Sequence, residues 1–148
     1  LVGSEMCIRD RPESGFITGV PERLGYVFQE DRLCDVFSAV ANVRLATGRT
    51  LPEILRHLEE LGLAGSARRP VSQLSGGMRR RVAIARAVCA GPQLLLLDEA
   101  FKGLDDQCRR DTMAYIRRHT PGASLLCVTH DPEEAALLGG RCLDLSAL

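Results

Sequence analysis

An α/β fold with a mostly parallel sheet flanked by helices is what this 148-residue sequence predicts, and three observations predict it. Short apolar runs, Gln93–Leu97 and Ser124–Thr129 above all, read as strands buried within a sheet. Stretches with helical periodicity alternate with those runs, as crossover connections between parallel strands require. Between Gln29 and Gln93 the pattern is helical throughout, which predicts a helical subdomain of about residues 33–91 inserted into the α/β frame.

The elements follow in order. Leu1–Arg11 shows neither helical nor strand periodicity and is too polar for a signal peptide, and the pattern becomes coherent from Pro12. Ser14–Val20 predicts a short strand stopped by Pro21, and Arg23–Gln29 a buried strand with Gln29 at its carboxyl end. Val36–Leu45 predicts a helix. Thr50-Leu51-Pro52-Glu53 has the spacing of a capping box, and Leu51, Ile54, Leu55, Leu58 and Leu61 continue at helical intervals to Gly62. Gly76–Cys89 is a helix stopped by Gly91-Pro92, with Met78, Val82, Ala85 and Cys89 facing the core and Arg79, Arg80 and Arg81 on the wetter side. Asp106–His119 is helical. Asp131-Pro132-Glu133-Glu134 opens a helix with cap, proline and glutamate in capping order, ending near Gly139-Gly140, and Arg141–Leu145 predicts a last strand.

Composition narrows the function classes. The formal net charge is +0, which offers no global attraction to nucleic acid or an anionic surface. The six cysteines are scattered, with no C-x-x-C and no metal-ligand spacing, as expected of a reducing compartment. No apolar run approaches the roughly 20 residues that span a bilayer, so work at a membrane would pass through a partner.

The chemistry sits at strand ends and one helix start. Asp98 and Glu99 follow the apolar strand, at the end where parallel sheets bind ligands. One carboxylate can hold Mg²⁺ beside a phosphate while the other faces a water. Ser75 can cap the helix that Gly76 and Gly77 begin, and glycines there let backbone N–H groups approach a phosphate. His130 lies just past a strand and before a capped helix, within reach of the same rim, and Gln29 ends another strand where it could meet a metal-bound water. His57 and His119 are given no role.

The set YVFQ, LSGGM, LLLLDEAFKGLD and VTHD, in that order, resembles the ATP-binding subunit of an ABC transporter, over Pro12 to Leu148. The resemblance implies a partial P-loop NTPase fold and an ATPase that powers solute transport. It implies Gln29 as the Q-loop glutamine near Mg²⁺ and γ-phosphate, and Ser75, Gly76, Gly77 and Met78 as the signature that binds ATP held by the opposite subunit. It further implies Asp98 as the Walker B aspartate near Mg²⁺, Glu99 as general base, Asp105 as the D-loop aspartate at the dimer interface, and His130 as the switch histidine. Cofactors would be ATP and Mg²⁺. Partners would be a second ATP-binding subunit and transmembrane permease subunits, with no nucleic acid, at the cytoplasmic face of the membrane. Phe28-Gln29-Glu30-Asp31-Arg32-Leu33 is similar to the nitrate, sulfonate, bicarbonate and taurine importer branch.

Two departures stand out. Ala100 replaces the usual proline after the Asp-Glu pair, and no G-x-x-x-x-G-K-[ST] loop occurs in these residues. The resemblance then implies that Leu1–Arg11, standing where the family has that loop and its helix, is a foreign or disordered segment, and that 12–148 is an N-terminally truncated domain that does not bind ATP in its own cis site, with an uncovered core face. Two other functions are open: a non-catalytic half-domain lending its signature to a partner, and a DNA-repair type ATPase. The latter is opposed by the roughly 45 residues between Gln29 and Ser75, too few for a long coiled coil.

Overall fold

The computed structural model describes residues 15–16 and 18–143, so the segment Leu1–Arg11 lies outside the described residues. The elements are β1 (Leu24–Val27), α1 (Ala39–Ala46), α2 (Leu51–Glu60), α3 (Gly76–Cys89), β2 (Leu94–Asp98), α4 (Asp106–His119), β3 (Ser124–Val128) and α5 (Pro132–Leu138). The strands form one parallel sheet in the order β1-β2-β3, with Val27 beside Leu97 and Leu97 beside Cys127. Because all three run the same way, their carboxyl ends share one rim.

Alternation along the strands separates two faces. Val27, Leu95 and Leu97 lie in the buried core with Ala85, Val88 and Ile116, so one face is closed by helices. The approach is tight at Gly25, where a Cβ would stand 3.1 Å from the Ala87 carbonyl of α3. The opposite face carries Leu24, Leu126 and Val128, all exposed.

Local signals explain most helix boundaries. Glu53 Oε2 accepts from the Thr50 backbone N–H at 2.8 Å, so the expected reciprocal contact at the start of α2 forms. Ser75 Oγ accepts from the Met78 N–H, and Asp105 Oδ1 from the Cys108 N–H at 2.9 Å. Four expectations need correction. Helix α1 begins at Ala39 rather than Val36, because Ser38 turns its hydroxyl to the Ala41 N–H and caps there. No strand forms at residues 15–16 and 18–20, where Gly15 and Gly19 take φ of 84° and 73°, away from extended geometry; Ser14 and Ile17 lie outside the described residues. Arg141–Leu143 are exposed and not a strand, and Asp144 and Leu145 lie outside the described residues. At α5, Glu134 does not close a capping box; its carboxylate accepts from the Thr129 hydroxyl at 2.6 Å.

Polar groups join α2 to α4. His57 Nδ1 meets the Tyr115 hydroxyl at 2.9 Å, and His119 Nε2 meets Glu60 Oε2 at 2.8 Å. Burial, and then the neighbouring His119, lower the His57 pKa below its ordinary 6.5. A histidine kept neutral when folded binds its proton more readily when unfolded, so its contribution is present above pH 6.5 and is lost as pH falls below it. The urea midpoint is therefore expected to fall between about pH 7.5 and about pH 5, and His57→Gln to flatten that fall. Identical slopes in the two proteins would remove His57 as the cause.

Candidate functional site

Asp98 ends β2 at the rim. It is buried, its Oδ2 lies 3.5 Å from the Tyr26 hydroxyl, and among the described residues no cation pairs with it. Its charge is felt nearby. Burial raises the Tyr26 pKa first and Asp98 raises it further. Burial pushes the Cys127 thiol up to about 12, with Glu134, Glu99 and Asp98 adding to it. A buried carboxylate at the rim, without a cationic partner among the described residues, suits a hard divalent cation such as Mg²⁺.

Glu99 comes next and turns the chain sharply. Its φ is 47°, the left-handed region that a residue with a Cβ seldom enters. The turn is fixed by the Glu99 N–H donating to the Val128 carbonyl at 2.9 Å and by Lys102 N–H donating to the Glu99 carbonyl. The carboxylate is thereby aimed at His130, whose Nδ1 stands 2.8 Å from Glu99 Oε1. His130 is 80% exposed at its side chain, whereas Glu99 is 18% exposed. The carboxylate is thus largely shielded while the imidazole bonded to it stands in solvent.

The residues on either side of His130 are fixed by hydrogen bonds. The Thr129 hydroxyl accepts from the Asp131 N–H at 3.0 Å while donating to Glu134. Asp131 Oδ1 accepts from the Glu133 N–H, and Asp131 Oδ2 takes Arg109 Nη1 at 2.7 Å. Arg109 also reaches Asp106 and Glu133, tying the first turn of α4 to the start of α5.

The glycines at the start of α3 are informative for what they do not touch. A Cβ at Gly76 would meet nothing within 4 Å, and one at Gly77 only ordinary contacts with Leu104 and Gly103. The chain's own packing does not require glycine there. The open backbone at a helix N-terminus is free to receive an anion from outside.

The structure brings Asp98, Glu99 and His130 into one cluster and sets Ser75–Gly77 beside Gly103–Leu104 in a second. No hydrogen bond joins the clusters among the described residues. Gln29 is exposed just beyond β1 on the same rim, Met78 is part-buried against the core, and Asp105 is occupied as the cap of α4. Sequence reasoning missed Tyr26, Arg109 and above all Arg80. Arg80 is buried rather than on the wet face, because its guanidinium donates to the Phe28 and Gln29 carbonyls. Periodicity counts arginine as polar and cannot register a guanidinium satisfied by backbone.

Comparison with known proteins adds the following. A family model described as "ABC transporter" matches residues 9–102. The aliphatic sulfonates import ATP-binding protein SsuB 2 of Burkholderia cenocepacia (strain HI2424) is 42% identical over 135 residues, 88% of this chain and 50% of that protein. A protein of the same name from Rhodococcus jostii (strain RHA1) is 43% identical over 131 residues, 85% of this chain and 53% of its own. The chain thus spans about half the length of the curated relatives it matches. Among solved structures, the dimeric ATP-binding cassette MJ0796, in a post-hydrolysis state bound to ADP and Pi, superposes with a TM-score of 0.70 at 30% identity, covering 78% of this chain and 55% of that one.

Proposed function

This chain belongs to the ABC transporter ATP-binding family, and from that premise we propose that it is part of an ATP-hydrolysing subunit that powers solute import through membrane partner subunits. One observation carries the reading. Glu99, on a left-handed backbone, is hydrogen-bonded to His130 beside the buried, uncompensated Asp98.

In this reading Asp98 and Gln29 would hold Mg²⁺, which neutralises phosphate oxygens when bound. Glu99 Oε2, the oxygen not engaged by His130, accepts a proton from water attacking the γ-phosphate. His130 fixes the Glu99 carboxylate through Nδ1–H, and donating to the phosphate from Nε2 as well requires the ring with a proton on both nitrogens. Ser75, Gly76, Gly77 and Met78 cap the ATP held by a second subunit, with Asp105 near the same interface. Residues 33–91 form the helical subdomain, and residues 12–148 belong to the ATPase domain. The subunit works at the inner face of the membrane through permease partners; among the described residues no helix is long and apolar enough to cross a membrane. The sulfonate import named for the relatives supports the importer branch, and a sulfonate is the solute class proposed. A purely structural half-domain is disfavoured, because it has no use for a strained Glu99 held against His130.

Since no G-x-x-x-x-G-K-[ST] loop lies within these residues, tests with ATP use a form carrying such a segment ahead of Pro12. ATP-dependent pairing of that form is expected by sedimentation. Gly76→Leu should fold with stability within about 1 kcal/mol of the parent, since a Cβ there meets nothing within 4 Å, yet lose the pairing. Pairing that survives Gly76→Leu would remove the signature from the interface.

A further inference from the structure

We infer that Arg80 and Arg86 of α3 clamp the backbone of residues 28–32, so that the segment bearing Gln29 and the helix opened by Ser75 move as one body. Val27 ends β1, and the next carbonyls have no strand to pair with. Two side chains of one helix take most of them. Arg80 Nη1 donates to the Phe28 carbonyl at 2.6 Å and Nη2 to the Gln29 carbonyl at 2.5 Å. Arg86 Nη1 donates to the Arg32 carbonyl at 2.7 Å and Nη2 to the Asp31 carbonyl at 3.0 Å. A planar guanidinium presents a fork of N–H donors, and here each fork spans two carbonyls.

Charge and strain reinforce the grip. Asp31 lies 3.3 Å from Arg80 and 3.8 Å from Arg79, while Arg79 also pairs with Asp35 at 2.7 Å. Arg32 takes φ of 46°, a conformation that persists only when its surroundings hold it. Its guanidinium sits 4.1 Å over the Phe28 ring, which stacks on Tyr26 with centroids 3.8 Å apart. Tyr26 in turn reaches Asp98. The segment is thereby bound on one side to the rim and on the other to α3.

The functional meaning rests on the proposed reading, in which Gln29 senses the chain's own nucleotide and Ser75 touches the partner's. Through Arg80 a displacement of Gln29 is passed along α3 to Ser75, which makes Arg80 and Arg86 positioning residues. The clamp itself needs no nucleotide, so it is tested without one.

The test is limited digestion of the 148-residue chain by a glutamate-specific protease, reading cleavage after Glu30, inside the clamp, against cleavage after Glu22, an exposed site before β1. Arg80→Gln is expected to raise the Glu30:Glu22 ratio about tenfold, because segmental opening governs cleavage. Arg80→Lys should fall between, since an ammonium cannot fork across two carbonyls. Arg86→Gln, at a less buried position, gives the same reading should Arg80→Gln not fold. An unchanged ratio in the folded variants, or equal acceleration at both sites, overturns the clamp. Loss of ATP-dependent pairing in the parent, with the ratio still rising in the variants, would instead overturn the nucleotide reading alone.

Discussion

Glu99→Gln, in the form carrying a phosphate loop, is expected to lower ATP turnover by about a hundred- to ten-thousand-fold while leaving ATP binding in place. The substitution keeps the size of the side chain and a carbonyl oxygen for the contact with His130, now 2.8 Å from Glu99 Oε1. What disappears is a carboxylate able to accept a proton from water. The left-handed backbone at residue 99 and the Val128 carbonyl that fixes it are untouched, so folding and nucleotide affinity have no reason to change. Phosphate release under saturating ATP, with binding measured in parallel, separates the two effects. Turnover within about threefold of the parent would show that another group takes the proton.

Phe101→Ala is expected to destabilise the fold by about 3–5 kcal/mol, read as a lowered urea midpoint at unchanged slope. Phe101 is 1% exposed and belongs to the main core with Leu97, Ile84 and Ile116. Its carbonyl also accepts from the Leu104 N–H, so it braces the short connection from Glu99 to Asp105. The same substitution should therefore loosen the rim. A cost near that of a surface change, about 0.5 kcal/mol, would mean the neighbouring side chains collapse into the space.

Much of the fold was legible because its signals are local. Helices α3 and α4 begin and end where sequence places them, since Ser75 and Asp105 each supply a capping oxygen, and Gly91-Pro92 stops α3. The strand ending at Asp98 is a run of leucines that no solvated element would carry. The carboxylates and His130 could be placed on one rim because parallel strands align their carboxyl ends. What sequence could not supply depends on contacts between distant segments. Arg80 lies 52 residues from Phe28, and nothing in its helix distinguishes it from Arg79 or Arg81. Glu134 has the spacing of a capping box, yet Thr129, just past the strand before, competes successfully for its carboxylate. Ser14–Val20 reads as a strand until the left-handed turns at Gly15 and Gly19 are seen. The bond between Glu99 and His130 likewise depends on a backbone conformation that residue type does not announce.

Whether the rim is a site for ATP with Mg²⁺ is settled by titrating labelled ATP, with and without Mg²⁺, into the loop-bearing form and its Asp98→Asn variant. Asp98 is a buried carboxylate at the carboxyl end of β2 with no cationic partner among the described residues, so its charge is what a divalent ion would answer. Mg²⁺ is expected to tighten ATP binding to the parent by about tenfold or more and to have little effect on Asp98→Asn, with metal-free binding alike in both. Equal Mg²⁺ enhancement in the two proteins would contradict the assignment of Asp98 and the nucleotide site built around it.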